Sequence, residues 1–477
     1  MYNPKRQYRC TIIRARAISE VDDLLPKYAA VIDNICPCTK EEFERGFNSA
    51  FRNYAESKAR NQNNESAIKK TLDNHRTEVS GSLFGMHYEI DGIVYASERT
   101  KKFLQDYDQP AFFKDWLLKM QFPNGMQKSQ TYTKVMADGL KCQPYSILLK
   151  VLDYARREGI VLLKQEIGYY ILNAEDVLKG EATPNEVFDE IMNDKRMGIA
   201  PRKIEVPEGE NKSKYYQHVT DQLQYLQLAN LIILDGQEVK LNPHEMKAIK
   251  TFEELWSKPL GFDMYSYDVK NASERKQLEE NWAIYYGRLS DNVDLLDTPV
   301  EALLAPEKEV DDKKKKNRKT NKTELGDAGE LYVYEYEKQR VGEFNTRLVN
   351  KVLALGKTKG LGYDIQSVIA EQGDFAEFVK YIEVKSTKRV TAPDINDSMW
   401  VDTVNITRNE WVAALQHKEF YYIYRVYFVR GGVVMYVIKD LYKKKESGIV
   451  EIIPMTYRVD FQNSAVDNVI SEVNQNV

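Results

Sequence analysis

The chain has 477 residues, 43% of them hydrophobic, so at roughly 100–200 residues per domain it has the material for two to four cored domains. Its 68 basic and 72 acidic side chains leave a formal charge of -4, which excludes a uniformly basic molecule; any nucleic-acid surface must be a local patch. No apolar run approaches the roughly 18 residues of a membrane span, and the opening MYNPKRQYRC lacks the apolar stretch of a signal peptide, so a soluble, cytoplasmic protein with no membrane partner is expected.

Cys10, Cys36, Cys38 and Cys142 and the five histidines show no pair at zinc-knuckle or zinc-finger spacing, so structural zinc is not expected. The pair flanking Pro37 reads as two free thiols around a turn. In chain order, residues 41–59 and 109–122 carry apolar side chains at helical spacing, and residues 86–97 read as two short strands around Asp91-Gly92. Residues 144–172 read as a helix, a Glu-Gly break and a second amphipathic stretch. Residues 215–243 then predict a long helix, an apolar strand, a tight Asp235-Gly236 turn and an alternating strand. Helix, strand, turn, strand is the order that ends a winged helix, a relative of the helix-turn-helix class whose helix enters the major groove. On this helix Tyr216, Gln217, His218 and Gln222 offer hydrogen-bonding groups to base edges, with Lys240 on the second strand. Winged helices also serve as plain protein-interaction modules; the C-terminal third of the chain tips the balance toward DNA.

Residues 307–322, EKEVDDKKKKNRKTNK, are charge-dense and low in complexity and read as a solvated linker. Beyond them, residues 323–341 predict a helix capped by Thr323, in which Gly326 and Gly329 imply that something approaches closely. The GKT at Gly356 is not a phosphate-binding P-loop, because Lys351 stands where the first glycine of that motif belongs. Eighteen residues separate Asp364 from Glu383, enough for a strand, a turn and an antiparallel partner strand. In KYIEVKSTKR, residues 380–389, alternation places Glu383 and Lys385 on one face and Ile382 and Val384 on the other. A capped helix over 407–420 and strands at 421–429 and 433–438 complete the region, their tyrosines read as sheet-packing residues.

The order Glu330, Asp364, Glu383-x-Lys385 resembles the PD-(D/E)xK nuclease superfamily. More narrowly, GELYVYEYEK, GLGYDIQS, YIEVKST and ITRNEWVAA followed by YYIYRVYFV are similar to the nuclease-like domain at the C-terminus of the plant NO VEIN protein and of bacterial restriction and phage-defence endonucleases. The resemblance spans about residues 323–440; Tyr363 stands where much of the superfamily has proline. It implies Asp364 and Glu383 as metal ligands with the Val384 carbonyl, Glu330 completing a second site or fixing a water, and Lys385 orienting the attacking water. So sparse a ligand set suits Mg²⁺, with Mn²⁺ as the substitute.

The expected architecture is therefore multidomain α+β: a helix-rich recognition region over 1–140, a winged-helix-like DNA-binding region over 141–306, the linker, and a restriction-endonuclease-like α/β domain with a mixed central sheet over 323–477. The expected function is metal-dependent endonucleolytic hydrolysis of double-stranded DNA in restriction or phage defence. A homodimer is expected at least on DNA, and a methyltransferase or other restriction-system component is a conceivable partner. The alternatives are a DNA-binding or signalling protein with a non-catalytic nuclease-like scaffold, or a nuclease acting on branched DNA or RNA.

Overall fold

The computed structural model describes residues 2–13, 18–58, 64–206, 208–209, 211–291, 293–304, 325–358, 360–397, 400–453 and 458–473. The expected linker over 307–322 and the Thr323 cap lie outside the described residues. The chain divides into two compact units, one holding Tyr28–Ala302 with the N-terminal residues, the other holding Asp22–Lys27 with the C-terminal part. Each mixes helices with sheet. Among the described residues no helix is long and apolar enough to cross a membrane.

In the first unit, α1 (Lys40–Lys58) buries Phe43, Phe47, Phe51, Tyr54 and Ala55, a stripe at the helical period that explains why this segment folds as it does. The strands β1 (His87–Ile90) and β2 (Ile93–Ala96) turn at Asp91 (φ 49°) and Gly92 (φ 79°), the two left-handed residues a two-residue hairpin loop requires. Helix α2 (Gln109–Leu118) starts on an Asp108 cap and is buried all round through Phe112, Phe113, Trp116 and Leu117. After α3 (Pro144–Arg157) come the short strand β3 (Leu162–Leu163), then α4 (Pro184–Arg196) and α5 (Lys212–Leu228). Strands β4 (Ile232–Asp235) and β5 (Glu238–Leu241) close a three-stranded antiparallel sheet in the order β3-β5-β4. Asp235 pairs with Glu238, so the tight turn is Gly236-Gln237, one residue later than the spacing suggests.

The second unit is built on a six-stranded mixed sheet. Helix α6 (Leu325–Phe344) precedes β6 (Leu353–Ala354), β7 (Ile365–Val368) and the long β8 (Val379–Lys388). Next come β9 (Val401–Asn405), α7 (Arg408–His417), and the hairpin β10 (Tyr421–Val429) and β11 (Gly432–Lys439). Strands β12 (Val450–Ile453), β13 (Arg458–Gln462) and β14 (Asn468–Val473) finish the chain. The main sheet runs β14-β11-β10-β8-β7-β6, with β8 and β10 parallel and the other pairs antiparallel; β9, β13 and β12 form a second sheet.

Every residue of β10 is buried, which accounts for a strand written YYIYRVYFV: a central strand covered on both faces has no polar side to show. Its tyrosines Tyr421, Tyr424 and Tyr427 are sealed in the core, as expected of sheet-packing residues. One face of the sheet meets α7 and the second sheet through Trp400, Val404, Ala414, Ile423, Tyr436 and Phe461. From α7, Ala413 and Ala414 enter this core with Trp411 packed against it, while Leu415 is 36% exposed. The other face meets α6. Gly329 lies where a Cβ would overlap Ser386 Oγ on β8, so the close approach expected of this helix is real at Gly329, whereas Gly326 has open space around it.

Candidate active site

The site forms where β7 and β8 part. Asp364 precedes β7, and its backbone N–H donates to the Ile382 carbonyl at 2.9 Å, so the antiparallel ladder carries it to the middle of β8. Its carboxylate Oδ2 accepts from the Val384 N–H at 2.8 Å. The N–H and C=O of one strand residue point to the same side, so the Val384 carbonyl also faces the cleft between the strands. Across the pleat Glu383 and Lys385 share the opposite face, and Lys385 Nζ lies 2.6 Å from Glu383 Oε1.

Glu330 comes from α6. Its carboxylate packs against Gly356, where an added Cβ would make the glutamate shift. A residue absent from the expected set completes the group: Glu410 Oε2 sits 2.8 Å from Lys385 Nζ. Glu410 belongs to the first turn of α7, where Thr407 and Glu410 cap each other reciprocally. The Thr-x-x-Glu spacing of such a capping box was visible in ITRNEW; its reach to Lys385 depends on how α7 docks.

The electrostatics of the group are those of too many acids around one cation. Burial drives the Glu383 carboxyl well above the usual range, Lys385 pulls it back only in part, and Asp364 and Glu410 push it further. Asp364 is raised by burial against the help of the Val384 N–H and Lys385. Burial, Asp364 and Asp327 lift Glu330 to about 7. Burial opposes the charge on Lys385, yet Glu383 and Glu410 raise its pKa above the ordinary value, so the ammonium persists. Titratable groups perturbed in this way mark functional sites more often than chance.

Among the described residues no group of three or more His, Cys, Asp or Glu side chains is arranged to hold a metal ion. The donors present are two carboxylates, Asp364 and Glu383, with the Val384 carbonyl, and Glu330 within electrostatic reach of Asp364. That set fits a hard divalent cation of the Mg²⁺ kind, which needs one or two carboxylates and keeps several waters. The excess of negative charge over Lys385 is the second reason such a cation fits.

The residues expected to touch DNA lie in the first unit. Gln217 is exposed and Tyr216 half-buried, beside Lys212, Ser213, Thr220 and Asp221 on one shallow face of α5. His218 Nδ1 accepts from the Ile12 N–H at 3.5 Å. Gln222 departs from expectation: it is buried, donates to the His218 carbonyl at 3.2 Å and accepts from Tyr145 Oη at 3.4 Å, so it presents nothing to solvent. Lys240 is paired with Glu238 at 2.7 Å and Asp235 at 3.6 Å in its own hairpin.

The comparisons with known proteins bear on both units. Residues 2–283 match the family model described as restriction endonuclease BpuJI, N-terminal. The chain belongs to the BpuJI N-terminal restriction-endonuclease family. Residues 329–438 match the model described as protein NO VEIN, C-terminal, in agreement with the resemblance read from the four motifs. A solved structure titled as pyrene- and phenanthrene-modified DNA in complex with the BpuJ1 endonuclease binding domain is 41% identical, with a TM-score of 0.56, over 60% of this chain and 100% of that one. Comparison with curated proteins found no match. The BpuJI family match covers most of the first unit and the NO VEIN match contains the whole acid–lysine group, so the chain is of restriction-endonuclease type.

Proposed function

We propose that this protein is a metal-dependent endonuclease that hydrolyses phosphodiester bonds of double-stranded DNA, with recognition in the N-terminal unit and cleavage at the Asp364–Glu383–Lys385 group. The observation that carries the reading is the buried excess of carboxylate around Lys385 at the parting of β7 and β8. Glu383 is only 4% exposed, and one ammonium does not repay the desolvation of three neighbouring carboxylates, so stability gives no reason to gather Asp364 and Glu410 around the pair.

Asp364, Glu383 and the Val384 carbonyl would hold Mg²⁺, with Mn²⁺ as substitute, and Glu330 would complete a second site or fix a water. Bound there, the cation supplies charge stabilisation on the phosphoryl oxygens and eases deprotonation of the attacking water. Lys385 orients that water and offsets the negative charge that develops in the transition state. The order Glu330, Asp364, Glu383, Lys385 on helix, strand edge and strand supports a PD-(D/E)xK-like domain over 323–477.

For the N-terminal unit, the BpuJ1 binding domain's complex with DNA supports a DNA-binding role. The order α3, β3, helices, α5, β4, β5, with β3 pairing on β5, supports a winged helix within 141–306, preceded by a helix-rich recognition region over 1–140. In that reading Tyr216 and Gln217 are the groups on α5 best placed to face DNA. One site cuts one strand, so a double-strand break implies a homodimer on DNA. In this reading the setting is cytoplasmic restriction or phage defence, with a methyltransferase or another restriction-system component as the partner to test for.

The test is incubation of the full chain with duplex DNA and Mg²⁺, with and without chelator, alongside Asp364→Ala. Cleavage lost with chelator and in the variant, with DNA binding retained, supports the enzyme. Binding without metal-dependent cleavage would instead favour a non-catalytic scaffold, and cleavage only of branched DNA or RNA a different substrate.

A further inference from the structure

A lysine ammonium carries three equivalent donors on a flexible stem and ordinarily acts as a rotating point charge. Lys385 does not have that freedom. Glu383 Oε1 at 2.6 Å and Glu410 Oε2 at 2.8 Å occupy two of its three donors, and its side chain as a whole keeps 21% exposure. Once two N–H directions are set, tetrahedral geometry sets the third.

We propose that Glu410 is a positioning residue for Lys385: together with Glu383 it locks the ammonium's rotation, so that the remaining N–H is aimed at the water that attacks the phosphodiester. This rests on the nuclease reading of the same site.

Glu410 is itself held in place. The Oε2 that accepts from Lys385 also accepts from the Thr407 N–H at 2.9 Å, and the Glu410 N–H donates to Thr407 Oγ1 at 3.3 Å. The capping box thus fixes one carboxylate for two purposes: closing the start of α7 and anchoring the lysine. The same turn of α7 abuts the strand that delivers Asp364. Gly362, in the left-handed region at φ +76°, lies where a Cβ would overlap the Asn409 carbonyl, so α7 and the approach to Asp364 can close only around a glycine. The backbone of Lys385 is fixed from below as well. Arg425, fully buried, donates to the Lys385 carbonyl at 3.3 Å and is paired with Asp402 at 2.7 Å. Both ends of the side chain are therefore determined, which is what aiming a single donor requires.

Glu410→Gln in the full chain tests this, because glutamine at the third helical position still closes a capping box and α7 should remain folded. The expected result is a fall in kcat of about 10–100-fold, the size typical of losing an outer-shell orienting group. The KM for duplex DNA and the Mg²⁺ concentration giving half-maximal rate should stay unchanged. A metal-free readout accompanies it: with ¹⁵N-labelled lysine, the wild-type protein should show a slowly exchanging Lys385 Nζ–H correlation that Glu410→Gln abolishes. An unchanged kcat would reduce Glu410 to a helix cap, and a raised Mg²⁺ requirement would make it a metal ligand; either overturns the proposal. An unlocked Lys385 Nζ in the wild type would overturn it too. A wild-type protein that cuts no DNA would defeat the nuclease reading, and the locked ammonium would then be judged by its resonance alone.

Discussion

Strand β8 carries two buried ion clusters on its two faces, and they obey opposite electrostatics. Toward α6, Glu337 accepts from Ser367 at 2.6 Å, Tyr424 at 2.6 Å, Lys380 at 3.1 Å and Arg340 at 2.7 Å. Burial alone would raise its carboxyl, but Lys380, Arg340 and Ser367 outweigh it and bring Glu337 down to about 2. Toward α7, Glu383 has one ammonium to share with Glu410 and a second carboxylate, Asp364, beside it, and is driven well above the usual range. The first cluster is complete as it stands. The second lacks positive charge, a deficit that a divalent cation would offset in the function proposed above.

The contrast can be broken most forcefully through activity. Glu383→Gln or Asp364→Ala should lower the cleavage rate by about 10²–10³-fold or more, the scale for losing a group that stabilises transition-state charge, measured on duplex DNA with Mg²⁺. On the other face the loss should fall on folding. Glu337→Ala strands Lys380 and Arg340 in the interior and should cost about 3–5 kcal/mol in denaturant unfolding, whereas Glu383→Gln should change metal-free stability by less than about 1 kcal/mol.

The two clusters should also respond to pH with opposite sign. Glu337 lies below its ordinary value of 4.5, so its contribution to stability is present above that pH and is lost as pH falls through about 2. Glu330 is raised from 4.5 to about 7, so its contribution is full below 4.5 and is lost as pH rises through about 7. Cation binding needs ionised carboxylates and so competes with the proton on Glu330. The Mg²⁺ needed for half-maximal cleavage should therefore rise by up to about tenfold per pH unit from pH 7 to 6, and Glu330→Gln should flatten that dependence.

A finer test uses two glycines of α6. Gly329→Ala places a methyl into Ser386 Oγ and should cost about 1–3 kcal/mol, while Gly326→Ala meets open space and should gain up to about 1 kcal/mol from helix propensity. Equal effects at the two positions in thermal unfolding would show that α6 does not lie against β8 as described.

These clusters were unequally legible in the sequence. The one around Lys385 could be read, because a period of two places Glu383 and Lys385 on one face and the spacing from Asp364 fits an antiparallel return; the ladder pairing Ile365 with Ile382 bears out that return. The structural one could not. Glu337 sits in a helix, Lys380 near the start of a strand, and nothing local says that Ser367 and Tyr424 meet them. Glu410 was half legible: its cap is a local signature, its contact with Lys385 a product of docking. In the first unit the helix over Lys212–Leu228 was plain from its pattern, but which face it buries was not, and Gln222 fell on the inner side. Lys240 is paired within its own hairpin, where alternation and a tight turn bring Glu238 and Asp235 to it.

The most direct measurement pairs two variants in one experiment, Glu383→Gln and Glu337→Gln, each assayed for Mg²⁺-dependent cleavage of duplex DNA and for unfolding free energy. The account predicts that Glu383→Gln stays folded and stops cutting, while Glu337→Gln loses stability and the fraction that remains folded still cuts. A folded Glu383→Gln protein that cuts DNA at the wild-type rate would contradict it.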